Sequence, residues 1–216
     1  PEEASSTISH IQKGDSLCNE GGKQLNGAVQ MYYAGLGTIL SRIRDWTLDR
    51  RQEEKDASVS SGENDVPPLS PKSSNLSYDD FVNAANCAEV NVLLIAMSTI
   101  LLRTGNTHFR LRNFETACRD YASAQSYQQL RTKGQSNTGI NESLVLEDAK
   151  LTGRIKNNMA SALSKRQMFE EARSEYTKAL QIKQSTLEAL HKTTREKGGS
   201  LKDLDDKNLV SDIAST

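Results

Sequence analysis

The residue types that most often do chemistry are few in this chain and lie far apart. The three histidines, His10, His108 and His191, have no acid or nucleophile at a telling distance. Proton transfer by an imidazole needs a partner that orients the ring, so all three read as packed or surface histidines. The cysteines, Cys18, Cys87 and Cys118, are odd in number and widely spaced. That matches neither a disulfide framework nor a zinc site, and it suits a reducing, intracellular setting, so a cytoplasmic location is expected. The pair Gly21-Gly22 follows no strand and reads as a turn between helices, not as a phosphate loop. No catalytic constellation, metal or cofactor is therefore expected, and the chain does not read as an enzyme. What remains for function is a surface.

Composition narrows the kind of surface. The chain has 216 residues, 36% hydrophobic and 25% charged, with a net charge of −1. That is the make-up of a soluble globular protein with a real core, and the near-neutral balance gives no reason to expect nucleic acid or a membrane surface as partner. The most apolar run, VNVLLIAMSTILL at residues 90–102, is too short to span a bilayer and carries Asn91, Ser98 and Thr99. A buried helix is expected there, and no membrane insertion. The sequence opens on Pro1 without a Met, which suggests an excised or processed chain.

The elements that would hold such a surface are helical. Three of the four prolines cluster at Pro67, Pro68 and Pro71. Residues 56–77 are rich in Ser, Pro and acid, so a disordered loop is expected there. A second loop is expected over residues 131–142, RTKGQSNTGINE, and a polar tail over 198–216. Between these breaks apolar residues step by three or four. Over residues 23–51 the series is Leu25, Ala28, Val29, Tyr32, Leu36, Ile39, Ile43 and Trp46. From residue 78 it is Phe81, Ala85, Ala88, Val92, Ile95 and Leu102. Residues 148–165, 170–183 and 185–197 suggest three more helices, the last one more polar. No alternating strand pattern stands out, so the fold class is all-α, with an N-terminal helical hairpin over residues 1–55.

One segment occurs twice. In GNTHFRLRNFETACRDYASA the residues Gly105, Phe114, Ala117, Tyr121 and Ala124 are spaced as Ala160, Phe169, Ala172, Tyr176 and Ala179 are further on. Leu25, Ala28, Tyr32 and Gly35 repeat the second part of the pattern, with about two extra residues upstream if Gly14 takes the first small position. These residues resemble the tetratricopeptide repeat, a helix–turn–helix unit of about 34 residues. The resemblance implies two units, 98–131 and 153–186, a degenerate one near 9–40, and antiparallel helix pairs stacked as a right-handed superhelix. Small residues would sit where paired helices cross, and both Tyr121 and Tyr176 would fill the space between helices. The first unit alone is also similar to the microtubule-interacting-and-trafficking domain.

In the tetratricopeptide family the first helix of each unit lines a concave groove that binds peptides. The resemblance puts Asn106, Phe109 and Arg110 there from one unit, and Arg154, Asn157, Asn158, Ser161 and Lys165 from the next. Amides and cations donate hydrogen bonds to carboxylates, so an acidic or C-terminal peptide of a partner protein is the expected ligand. Some members clamp the C-terminal carboxylates of heat-shock chaperones. Asn106 and Asn158 match that clamp and Lys192 is conservative, but Leu102 and Glu188 stand where cations belong. Each lost charge-assisted bond removes about 1.5–3 kcal/mol, so a co-chaperone role is disfavoured. The expected function is a protein–protein interaction module or adaptor. The alternative is a scaffold subunit whose groove stays empty. Asp203, Asp205 and Asp206 suggest a tail that folds back onto the cationic face.

Overall fold

The computed structural model describes residues 2–60, 88–135 and 142–196, and these form six α-helices with no strand. They are α1 (Glu2–Asn19), α2 (Leu25–Ser60), α3 (Ala88–Arg110), α4 (Phe114–Gln135), α5 (Glu142–Lys165) and α6 (Phe169–Glu196), with one 3₁₀ turn at Gly22–Gln24 before α2. The helices pair as three hairpins, α1 with α2, α3 with α4 and α5 with α6. Each hairpin packs on the next, α2 against α3 and α4 against α5.

Two of the hairpin turns are the same device. At the end of α3 the Asn113 amide donates to the His108 carbonyl at 2.9 Å and the Arg112 amide to the Phe109 carbonyl at 3.0 Å. At the end of α5 Met168 bonds Leu163 and Gln167 bonds Ser164, both at 3.0 Å. These crossed bonds satisfy carbonyls that the helix end would orphan, and they need one left-handed residue. Arg112 (φ 60) and Gln167 (φ 65) take that conformation without being glycine. Asn113 then caps α4, its Oδ1 accepting from the Thr116 hydroxyl at 3.0 Å. The α1–α2 turn is built differently, around Gly21 at φ 101 and the 3₁₀ turn, which accounts for the extra residues there.

The small and large residues meet inside each hairpin. A Cβ on Gly105 would fall 2.5 Å from Cε1 of Tyr121, and one on Gly14 would fall 2.5 Å from Cε1 of Tyr32. Only a bare backbone lets either ring lie flat across the helix crossing. Ala117 and Ala124 are fully buried beside Tyr121. Tyr176, expected to be packed in the same way, is 37% exposed, because no described helix lies beyond α6.

The helices run longer than a 34-residue unit allows, and this corrects several expected boundaries. Residues 56–60, expected to begin a loop, complete α2. The rest of 56–77 lies outside the described residues, as does the tail from 198. Residues 185–196 continue α6 instead of forming a separate helix. Residues 88–97 are one helix with the second hairpin's first helix. Residues 131–135, expected as loop, end α4, and Arg131 is 1% exposed in an ion pair with Asp148 of α5. Gln128 Nε2 donates to the same carboxylate at 2.7 Å. A run of polar letters thus conceals a buried contact between two hairpins.

The core forms two joined clusters. One gathers Tyr32, Ile39 and Ile43 of α2 with Val90, Leu94, Met97 and Ile100 of α3 and Leu130 of α4. The other gathers Leu101 and Leu102 of α3, Ala117 and Tyr121 of α4, Ile155, Ala162 and Leu163 of α5 and Ala172 of α6. The apolar run at 90–102 is therefore a buried helix. Among the described residues no helix is long and apolar enough to cross a membrane.

Candidate functional site

The residue after each small position is polar and takes the tyrosine hydroxyl of its own hairpin. Tyr32 donates to Asp15 Oδ1 at 2.7 Å, Tyr121 donates to Asn106 Oδ1 at 2.9 Å, and Tyr176 pairs with Ser161 Oγ at 2.9 Å. Burial pushes the Tyr32 and Tyr121 phenols up, so both stay neutral donors. This recurrence aligns Asp15, Asn106 and Ser161 along the first helices α1, α3 and α5.

Further polar bonds join these helices into one face. Asn158 Nδ2 of α5 donates to Asn106 Oδ1 of α3 at 2.8 Å. Arg103 of α3 forms an ion pair with Asp15 of α1. Arg110 Nη1 donates to the Cys18 carbonyl at 2.9 Å, and the Cys18 thiol meets the Thr107 hydroxyl at 3.2 Å. Desolvation, followed by the like charge of Arg154, lowers the pKa of Arg103, which places Arg103 and Arg154 within each other's field.

The sequence-derived candidates divide on this geometry. Asn106, Asn158, Ser161, Arg110 and Arg154 lie on or beside the joined face. Lys165 follows Ser161 by one turn of α5 and is exposed. Asn157 is half-buried, with its Oδ1 lacking a hydrogen-bond donor, and its carbonyl accepts from Ser161 Oγ at 3.1 Å. Phe109 belongs to the core instead. It packs edge-on against Phe114, with ring centroids 5.3 Å apart, because an aromatic ring beside a tight turn gains more from burial than from solvent. Lys192 is on α6, a second helix, about 35 Å along it from the α5–α6 turn. Glu188 is on the same helix.

Two residues of the face were missed from the sequence, Asp15 and Arg103. Asp15 carried a signal, since it follows Gly14 as Asn106 follows Gly105. Arg103 carried none, because its pairing depends on how α1 and α3 meet. His108, read as a packed histidine, is 8% exposed, and its Nδ1 lies 2.7 Å from Asp120 Oδ2. Tyr33 of α2 reaches the other Asp120 oxygen at 3.5 Å, so the trio ties two hairpins together. Burial raises the Asp120 pKa, and the His108 bond opposes that shift.

Fold and face together define a class: an all-α protein of consecutively packed helix hairpins whose first helices share a polar, cation-bearing face. Comparisons with family models, with curated proteins and with solved structures each return no match.

Proposed function

We propose that this chain is a non-catalytic interaction module of the tetratricopeptide type, an adaptor. In this reading the joined face of α1, α3 and α5 is a concave groove for an acidic or C-terminal peptide of a partner protein. The observation that carries the reading is the grouping of Arg103, Arg110, Arg154 and Lys165 with the Asn106–Asn158 amide pair along two successive first helices, α3 and α5. Cations and amides at that spacing suit several carboxylates on one extended peptide. Asp15 holds Arg103 in place and leaves Arg154 and Lys165 as the exposed cations of α5. A chaperone carboxylate clamp is not favoured, since Leu102 and Glu188 stand where that clamp needs cations. A cytoplasmic setting is part of the proposal.

Affinity capture tests it. Immobilised wild type is compared with Arg154→Glu/Lys165→Glu for retention of an acidic peptide with a free C-terminal carboxylate. Retention by wild type alone supports the groove. Equal retention by both removes it.

A further inference from the structure

The three hairpins repeat one stacking face, and the last copy is bare among the described residues. Leu25, Tyr32 and Leu36 form it on α2, Phe114, Tyr121 and Gln125 on α4, and Phe169, Tyr176 and Leu180 on α6. The next hairpin packs on α2 and on α4. Leu25, Tyr32 and Tyr121 are at most 4% exposed, whereas Phe169, Tyr176 and Leu180 are 63%, 37% and 53% exposed. Apolar side chains so exposed and adjacent mark a surface built to be covered.

We propose that this α6 face docks an acidic, amphipathic helix of a second protein. The way α5 lies on α4 supplies the template. There Lys156 reaches Gln125 at 3.4 Å, Asp148 accepts from Gln128 at 2.7 Å, and Asn158 bonds Asn106 at 2.8 Å. On α6 and α5 the corresponding positions are Leu180, Lys183 and Ser161. A helix laid there in the same way carries an apolar residue over Leu180. Eight residues earlier it carries a carboxylate facing Lys183, and two residues later a hydrogen-bonding side chain at Ser161. Exposed Arg173, standing where α4 has the buried Cys118, adds to the preference for acid. This surface borders the proposed groove at Ser161, but the proposal does not depend on that groove.

Other occupants fit less well. The fully buried α3 residues that pack on the first hairpin, Met97 and Ile100, correspond in α1 to Ser6 and Ser9. End-to-end stacking of copies would put that polar set on the apolar face. Two α6 helices paired about Tyr176 and Leu180 would bring Arg173 against Lys183.

The test uses the full chain and a fluorescein-labelled peptide of residues 142–165 carrying Lys150→Glu and Lys156→Leu, which make it acidic. Saturable anisotropy is expected, weakened at least tenfold by Leu180→Asp and by Arg173→Glu and unchanged by Arg154→Glu/Lys165→Glu. Both α6 positions are exposed, so thermal melting should not move. No saturable binding, or binding indifferent to Leu180→Asp, overturns the proposal. So does a wild-type dimer in sedimentation that Leu180→Asp dissociates, because a second copy then covers the face. A tenfold gain in peptide affinity from Leu204→Asp/Ile213→Asp overturns it as well, because the chain's own C-terminal residues then compete.

Discussion

Replacing Arg131 by Met tests whether the second and third hairpins are fastened by a buried ion pair. The Arg131 side chain is 1% exposed and that of Asp148 11%, so both charges have left water. Removing the cation leaves the Asp148 carboxylate buried with Gln128 Nε2 donating to it. Stranding one member of a buried pair typically costs about 3–5 kcal/mol. For a chain of this size that lowers the melting temperature by about 6–20 °C. The pair itself is not expected to be a large net stabiliser. Arg131 Nε and Gln128 Oε1 are buried without hydrogen-bond partners, and desolvation lowers the Arg131 pKa. Arg131→Met/Asp148→Leu should therefore return to within about 1–2 kcal/mol of wild type. Urea unfolding of the two single variants and the double completes the cycle. A single variant within about 0.5 kcal/mol of wild type would refute the contact, since that is the range of ordinary surface changes. A double variant as unstable as the singles would show that Arg131 and Asp148 are not coupled.

The hairpin turns and crossings give further expectations. Gly105→Ala should destabilise by about 1–3 kcal/mol in thermal melting, because the new methyl meets the Tyr121 ring at 2.5 Å, whereas Gly153→Ala, with its nearest neighbour at 3.7 Å, should be neutral or stabilising. Tyr121→Ala should cost about 3–5 kcal/mol and Tyr176→Ala clearly less, in line with their 1% and 37% exposure; equal losses would mean that α6 is covered after all. Gln167→Gly should raise stability by about 1 kcal/mol in urea titration, since glycine takes the left-handed φ of 65 without strain, and a loss would deny the turn geometry.

Much of the hairpin register was legible in the sequence, because close crossings demand small residues at fixed distances from large ones. Gly105 and Tyr121, and Gly14 and Tyr32 two residues further apart, meet as that spacing requires. Helix ends were less legible. Arg131 looks like loop by composition, and only its meeting with Asp148, seventeen residues on, makes it core. Ser185 and the polar residues around it look like a break, yet α6 continues through them. The candidate face was partly legible. Asn106, Asn158, Ser161 and Arg154 were placed there by the tetratricopeptide resemblance. Phe109 was misread because helical phase cannot show that Phe114 folds back over the same turn. Arg103 was missed because its partner comes from another hairpin.

The cationic face is tested most directly by equilibrium titration of an acidic decapeptide bearing a free C-terminal carboxylate. Wild type and Arg154→Glu/Lys165→Glu are compared at equal helicity by circular dichroism, at low and at physiological salt. The account predicts saturable binding that weakens with salt and at least a tenfold loss of affinity in the double variant. Equal affinity in both proteins, with folding intact, would contradict it.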